Sequence, residues 1–250
     1  MNRILANMPG WVLYFLYQWK LKKAKVDRDK IAQSWSNYLK QEVRRVLQLP
    51  SLRATKSPLV TMMVGLPFTG KTTVADMIAE FNFFRINTNQ IRGWLTDAGC
   101  SYAHDSIIAL CYMEQVLALG YDVVCDSDHM LPVKRAFVKA VAKHANKSVR
   151  FELVNLGTQL SHLKSRLLAI SDTKKFHRLY GDAINCDGKQ VTVKELRELV
   201  LKEYERQAPG HREYGHLISG RKGYHFIHLS DSIKNLEDSA RSVGQKIVAK

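Results

Sequence analysis

Nine consecutive residues, GLPFTGKTT, indicate a chemical function most clearly, because they fit the phosphate-binding pattern G-x-x-x-x-G-K-[ST]. The apolar residues 59–64 precede them and predict a strand, while residues 71–81 follow with apolar side chains at helical spacing. In such a unit the backbone N–H groups and the helix dipole face the phosphates of a nucleotide. The pattern therefore predicts a site for ATP that is formed by Gly65, Leu66, Pro67, Phe68, Thr69, Gly70, Lys71, Thr72 and Thr73.

A carboxylate at the end of a second apolar stretch completes a predicted Mg²⁺ site. Residues 121–126 read YDVVCD, which predicts a strand ending in Asp126. This carboxylate can hold Mg²⁺ across from the Thr72 hydroxyl, while Lys71 reaches the β- and γ-oxygens. No Glu follows Asp126 and the chain has no N-K-x-D sequence. These features favour phosphoryl transfer to an acceptor over simple hydrolysis, and they argue against a GTPase.

Short apolar stretches alternate with helical patterns along most of the chain. Strands are predicted at 59–64, 83–87, 121–126, 149–156 and 224–229, with helices at 71–81, 89–96, 104–119 and 133–146. This alternation predicts a P-loop NTPase fold of three α/β/α layers around a five-stranded parallel sheet. The segment of about 157–223, which includes a helix predicted at 191–206, is too long for a simple crossover. It is predicted to be an inserted helical lid that brings basic side chains over the phosphates, with a solvated helical hairpin as the alternative.

Residues 1–57 are predicted to be a basic helical extension of the domain that spans 58–250. Residues 1–58 hold twelve Lys and Arg against three Asp and Glu, which gives a charge of +9. The aromatic segment Trp11–Tyr17 precedes a run of lysines, and residues 29–47 have helical periodicity. Two interpretations of the aromatic segment stay open. It either packs on the body of the protein or anchors it at a membrane surface.

The whole chain has 250 residues and a net charge of +15, with 46% hydrophobic residues. A basic surface favours polyanionic partners such as nucleic acid, although it can also serve solubility alone. The four cysteines have neither disulfide nor metal-ligand spacing, and no stretch reaches the roughly 20 apolar residues of a membrane span. His104, His129, His144 and the other histidines show no ligand spacing either. We therefore expect the histidines to lie at the surface or in the core. The cysteine pattern and the lack of a membrane span predict a cytoplasmic protein.

Taken together, these motifs resemble the polynucleotide 5′-hydroxyl kinase and zeta-toxin group of P-loop kinases. The resemblance covers residues 58–230 and includes a G-x-P-x-x-G-K-[ST] loop, the sequence NTNQIR after the second strand, and a basic helix after Asp126. It implies transfer of the γ-phosphoryl group of ATP to a hydroxyl of a nucleic-acid 5′ end or a nucleotide-like acceptor. Besides Lys71 and Asp126, it assigns roles to Arg92 on the acceptor side, to Arg135 or Lys134 on the basic helix, and to Arg166 in the lid.

Two positions depart from the pattern of this group. Asn89 stands where the group has the Asp that accepts the proton of the acceptor hydroxyl, and an amide cannot act as a base. Asp128 either takes over that role or caps the helix that begins near Pro132. Ile170 replaces a second lid arginine, for which Lys174 or Lys175 can compensate. Two alternatives therefore stay open: an ATP-binding regulatory or scaffold protein that has lost catalysis, and a toxin-like kinase of small metabolites.

Overall fold

A computed structural model describes residues 5–23, 54–66, 69–97, 105–157, 164–165, 167–168, 192–218, 223–228 and 233–249 of the chain. Its five strands are β1 (Leu59–Gly65), β2 (Phe84–Asn87), β3 (Val123–Asp126), β4 (Arg150–Gly157) and β5 (Tyr224–His228). Its longer helices are α1 (Gly10–Lys23), α2 (Lys71–Ala79), α3 (Thr88–Asp97), α4 (Asp105–Ala118), α5 (Pro132–Ala145), α6 (Val193–Ile218) and α7 (Ile233–Val248).

The strands form one sheet in the order β2-β3-β1-β4-β5, and every neighbouring pair is parallel. In the centre of the sheet, Met62 of β1 is level with Cys125 of β3 and with Leu153 of β4. All seven residues of β1 are buried, as expected for a central parallel strand that is covered on both faces. The structure confirms the predicted α/β class with its five-stranded parallel sheet.

Alternate residues of β1 contribute to two hydrophobic clusters, one on each face of the sheet. Val60, Met62 and Val64 belong to the cluster that also contains residues of α1, α4 and α5. Leu59 and Met63 belong to the cluster that contains residues of α2 and α7. The period of two along a strand produces this division. Because both faces are packed, ligands meet the sheet at its edges, and the predicted phosphate loop lies at the carboxyl edge.

The aromatic segment near the N-terminus lies in α1, which packs on α5 and α4. Leu13 and Tyr17 are buried in the core. The hydroxyls of Tyr14 and Tyr17 donate to the two carboxylate oxygens of Glu114 at 2.8 and 3.1 Å, and the Tyr14 ring stacks on His144. One side of the segment therefore packs on the body of the protein. Within the described residues, no helix is long and apolar enough to cross a membrane.

The structure differs from the predicted elements mainly in the C-terminal half. Helix α7 was not predicted, and α6 continues to Ile218, well beyond the predicted end at residue 206. The helix predicted at 29–47 lies outside the described residues, and so does about half of the segment predicted to be a lid. The lid therefore stays a prediction.

Candidate active site

The phosphate loop joins the end of β1 to the start of α2. Gly70 is the residue before α2 and adopts a left-handed conformation with φ of 82°, which a residue with a side chain rarely tolerates. No side chain caps the first turn of α2, so its N–H groups stay available for an anion. The Thr69 hydroxyl donates to the Leu66 carbonyl at 2.9 Å and tightens the loop. Pro67 and Phe68 lie outside the described residues.

Lys71 folds its side chain back onto the loop. Its Nζ donates to the carbonyl oxygens of Gly65 and Leu66, at 2.7 Å each. Burial of the ammonium lowers the pKa of Lys71, and the nearby carboxylates of Asp128 and Asp126 partly oppose that shift. Phosphate oxygens accept stronger hydrogen bonds from an ammonium than neutral carbonyls do. A bound nucleotide can therefore draw this side chain away from the loop carbonyls.

The structure brings the two predicted metal ligands together. The Thr72 hydroxyl lies 3.4 Å from Asp126 Oδ1, which is less than twice a Mg²⁺–O distance of about 2.0–2.1 Å. One cation can therefore contact both oxygens, and these residues fit Mg²⁺. The second oxygen of Asp126 accepts hydrogen bonds from Asn87 Nδ2 at 2.6 Å and from Arg85 Nε at 3.1 Å. Asp126 is thus held in place on one side and faces Thr72 on the other.

Arg85 and Asn87 are site residues that the sequence reasoning missed. Arg85 pairs with Asp76 of α2 as well as with Asp126 of β3, so it ties the helix after the phosphate loop to the metal carboxylate. The Asn87 Oδ1 accepts from the backbone N–H of Gln90 at 3.1 Å in the first turn of α3. Both residues lie on β2, beside β3, at positions that only the strand order brings next to Asp126.

Asn89 and Arg92 lie together on α3. Arg92 Nη1 donates to Asn89 Oδ1 at 3.2 Å, and Arg92 Nε pairs with the buried carboxylate of Asp105 on α4. Arg92 therefore joins α3 to α4 while its partner Asn89 stays exposed. In this arrangement, the carboxylate of Asp105 balances the positive charge of Arg92. The role of Arg92 on the acceptor side stays a prediction.

Asp128 and the two basic residues after it hold the segment that follows β3. Asp128 Oδ1 accepts from the backbone N–H groups of Gly65 at 3.3 Å and Met130 at 3.2 Å. Lys134 Nζ donates to the Asp128 carbonyl at 3.1 Å, and Arg135 Nη1 donates to the His129 carbonyl at 2.8 Å. These contacts fix the segment against the phosphate loop. Arg166 and Ile170 lie outside the described residues.

A cavity of about 400 Å³ opens beside Asp126, on the face of the sheet that α1, α4 and α5 cover. Cys125 and Ser127, the two sequence neighbours of Asp126, both line it. Most of its other lining side chains are apolar and come from β2, α4 and α5. Lys20 and Lys134 contribute the positive charges, and none of the described lining residues is acidic. The cavity therefore combines an apolar wall with two ammonium groups and reaches the end of β3.

His129 also lines this cavity, although its sequence position gave no sign of a role. Its Nδ1 lies 3.1 Å from the Met63 carbonyl and 3.0 Å from the Ser127 carbonyl. Because carbonyl oxygens only accept, Nδ1 carries the proton and Nε2 of the neutral ring is an acceptor. Burial, with a smaller contribution from Lys134, lowers the pKa of His129 to about 4. The cavity thus contains a neutral imidazole at physiological pH.

We expect His129 to make the protein less stable in acid. Its pKa is about 4 in the folded state against 6.5 normally, so the unfolded chain binds more protons between these values. The contribution of His129 to the free energy of unfolding is fully present above pH 6.5 and is lost as the pH falls towards 4. The loss reaches about 3 kcal/mol, because one pKa unit corresponds to about 1.36 kcal/mol. Urea unfolding of wild type and His129→Asn from pH 7 to pH 4 measures the difference. Asn keeps a donor near the position of Nδ1 and does not titrate. If the free energy of unfolding falls equally with pH in both proteins, His129 does not have the lowered pKa.

No family model matches the chain, and no curated protein matches it in sequence. Among solved structures, it is similar to a gluconokinase from Sinorhizobium meliloti 1021, with 16% identity over 79% of this chain and 96% of that one, and a TM-score of 0.42. A shikimate kinase from Acinetobacter baumannii, solved in complex with shikimate, has 16% identity over 77% of this chain and 91% of its own, with a TM-score of 0.37. Such distant likeness assigns no acceptor, and membership of the polynucleotide kinase and zeta-toxin group stays a prediction.

Proposed function

We propose that this chain is an ATP-dependent kinase that transfers the γ-phosphoryl group to a hydroxyl of a small acceptor bound in the cavity. One observation carries the proposal. Lys71, Thr72 and Asp126 meet at the carboxyl edge of the sheet, and the residues on both sides of Asp126 line the cavity. The cavity therefore reaches the strand end that carries Asp126, and we place the acceptor there, although the Asp126 carboxylate itself faces Thr72 and Arg85.

The donor half of the site works through positioning and charge. The N–H groups at the start of α2 bind the phosphates, and the Lys71 ammonium moves from the loop carbonyls to the phosphate oxygens. Thr72 and Asp126 would hold Mg²⁺, which would neutralise charge on the transferring phosphoryl group. Arg85 and Asn87 keep the Asp126 carboxylate oriented for this task.

The cavity favours a small acceptor over a nucleic-acid 5′ end. Single-stranded nucleic acid is usually bound in an open basic groove with aromatic side chains on which the bases stack. Here the lining is largely aliphatic and the volume of about 400 Å³ is typical of a small-molecule pocket. Lys20 and Lys134 suit an anionic group. We therefore infer an alcohol with an apolar part and an acidic group, which corresponds to the small-metabolite alternative.

His129 can supply the proton acceptor that Asn89 does not. Its Nδ1 is bonded to backbone carbonyls, so the unprotonated Nε2 is the ring atom left to accept a proton from a hydroxyl in the cavity. With a pKa of about 4, this imidazole is about as basic as an ordinary Asp carboxylate, whose pKa is about 3.9. It can therefore take the place of the missing carboxylate.

Transfer from γ-labelled ATP with Mg²⁺ tests the proposal directly. The acceptors are a panel of small hydroxy acids and, separately, oligonucleotides with 5′-hydroxyl ends. We expect label only in the small acceptors. Label in the oligonucleotides moves the acceptor to a nucleic-acid 5′ end. If the protein binds ATP but transfers label to no acceptor with any of the metal ions tested, the kinase proposal is wrong.

The second candidate is a regulatory or scaffold protein that binds ATP without transferring phosphate. It is favoured by Asn89, an exposed amide bonded to Arg92 where a carboxylate is expected.

Substitution of Asn89 separates the two candidates. In a kinase that uses His129, Asn89→Asp should change kcat by less than about threefold, whereas His129→Asn should lower it by about 10–100-fold. In a protein that lacks only its base, Asn89→Asp should create transfer where wild type has none. Steady-state assays of the three proteins give the answer. A large gain from Asn89→Asp in an already active wild type contradicts the role of His129.

A further inference from the structure

Helix α1 presents an aromatic stripe to solvent, formed by Trp11, Phe15 and Trp19. These side chains are 76%, 66% and 49% exposed, and they are four residues apart along the helix. Residues at this spacing lie on one side of a helix. The opposite side packs on the body of the protein through Leu13 and Tyr17. The stripe is therefore a contiguous apolar surface, and such surfaces usually mark an interaction site.

The charged residues that flank the aromatic stripe in the sequence have one sign. Residues 1–26 contain no Asp or Glu, and Arg3, Lys20, Lys22, Lys23 and Lys25 are all within them. Lys22 is exposed in the last turn of α1, three residues after Trp19 and on the same side of the helix. An apolar surface with a basic border complements a surface that is negatively charged and apolar beneath.

The geometry points to a lipid bilayer as the partner: we infer that the aromatic stripe and its basic border bind the interface of an anionic membrane. Trp and Phe beside lysines are the side chains that interfacial helices use. The stripe is a row of projecting rings over about 12 Å of helix, a shape that inserts among lipid headgroups. The hydrogen bonds of Tyr14 and Tyr17 to Glu114 already hold α1 in place, so binding need not order the helix. This inference is independent of the proposed kinase activity.

Co-sedimentation of the full chain with lipid vesicles tests the inference. The probes are vesicles of phosphatidylcholine alone and of phosphatidylcholine with phosphatidylserine. We expect binding to the anionic vesicles that weakens as salt is raised, and little binding to the neutral ones. The triple variant Trp11→Ser, Phe15→Ser, Trp19→Ser should bind at least about tenfold more weakly, because it lacks the side chains that enter the interface. Lys22→Glu should lose about fivefold or more.

Leu119→Ser is the matched control, because Leu119 is 62% exposed but lies outside α1. It should bind vesicles as wild type does. Circular dichroism and ATP binding check that the triple variant is folded. Two results overturn the inference: equal binding of wild type and the triple variant, or no binding of wild type to anionic vesicles. A wild-type dimer that becomes monomeric in the triple variant, without vesicle binding, identifies a second copy of the chain as the partner instead.

Discussion

Substitution of Lys71 by Met is expected to lower ATP-dependent phosphoryl transfer by about 10²–10³-fold, the usual effect of removing one donor that stabilises charge in a transition state. Lys71 is the half-buried cation of the predicted phosphate loop, and its ammonium lies at the start of α2, where we propose that the phosphates bind. Met retains an unbranched side chain of similar length but cannot donate to phosphate oxygens. The loss should therefore be chemical rather than structural.

The stability of Lys71→Met should stay close to that of wild type. The substitution removes two hydrogen bonds, to the carbonyls of Gly65 and Leu66, and it also removes the desolvation cost that lowers the pKa of this lysine. These two effects have opposite signs. Single-turnover transfer and thermal unfolding are the measurements. Lys143→Met, at an exposed position in the last turn of α5, is the control and should be fully active. A Lys71→Met protein that is folded and retains the wild-type rate would falsify the assigned site.

Asp126→Asn should abolish the dependence of activity on Mg²⁺ and lower transfer at least about 100-fold, since even outer-shell partners of a catalytic metal are worth 10–100-fold. The carboxylate faces the Thr72 hydroxyl and loses its charge in this variant. It also pairs with Arg85, so the free energy of unfolding should fall by about 1–3 kcal/mol. Titration of activity with Mg²⁺ and urea unfolding measure the two effects.

The control for Asp126→Asn is Asp76→Asn, which removes a different carboxylate partner of the same arginine. Asp76 is 52% exposed and pairs with Arg85, but it is not one of the predicted metal ligands. This variant should keep the Mg²⁺ dependence of wild type. If both variants lose activity equally, the ion pairs of Arg85 matter for positioning and Asp126 has no separate role at the metal.

The part of the fold that sequence patterns predicted is the part in which local signals are strong. Strand β1 is buried throughout and apolar except at Thr61, and the glycines and Lys71 after it mark the turn into α2. Helix α7 has an equally local signal that was overlooked, because Leu236, Ala240 and Val243 recur at helical spacing and are buried. The strand order, in contrast, depends on pairings between distant segments, and no single segment encodes it.

The residues of the candidate site also fall into two groups, those that local sequence patterns predict and those that only tertiary contacts bring in. The predicted ATP-binding residues follow from a motif whose spacing is fixed by the loop itself, and Asp126 follows from its place at the end of an apolar stretch. Arg85 and Asn87 reach Asp126 only because β2 pairs with β3. His129 reaches the cavity only because the segment after β3 turns back onto β1, where its N–H bonds to the Met63 carbonyl at 3.0 Å. Such contacts are set by tertiary packing, which residue spacing does not report.

The position of α1 has a consequence for regulation. Leu5 and Lys20 line the cavity together with residues of α4 and α5, so a ligand that contacts them binds more tightly when α1 is docked. By thermodynamic linkage, the same ligand must hold α1 on the body by the same factor. Ligand binding in the cavity and docking of α1 on the body are then thermodynamically coupled. A cavity ligand should accordingly slow proteolysis of the chain between α1 and β1.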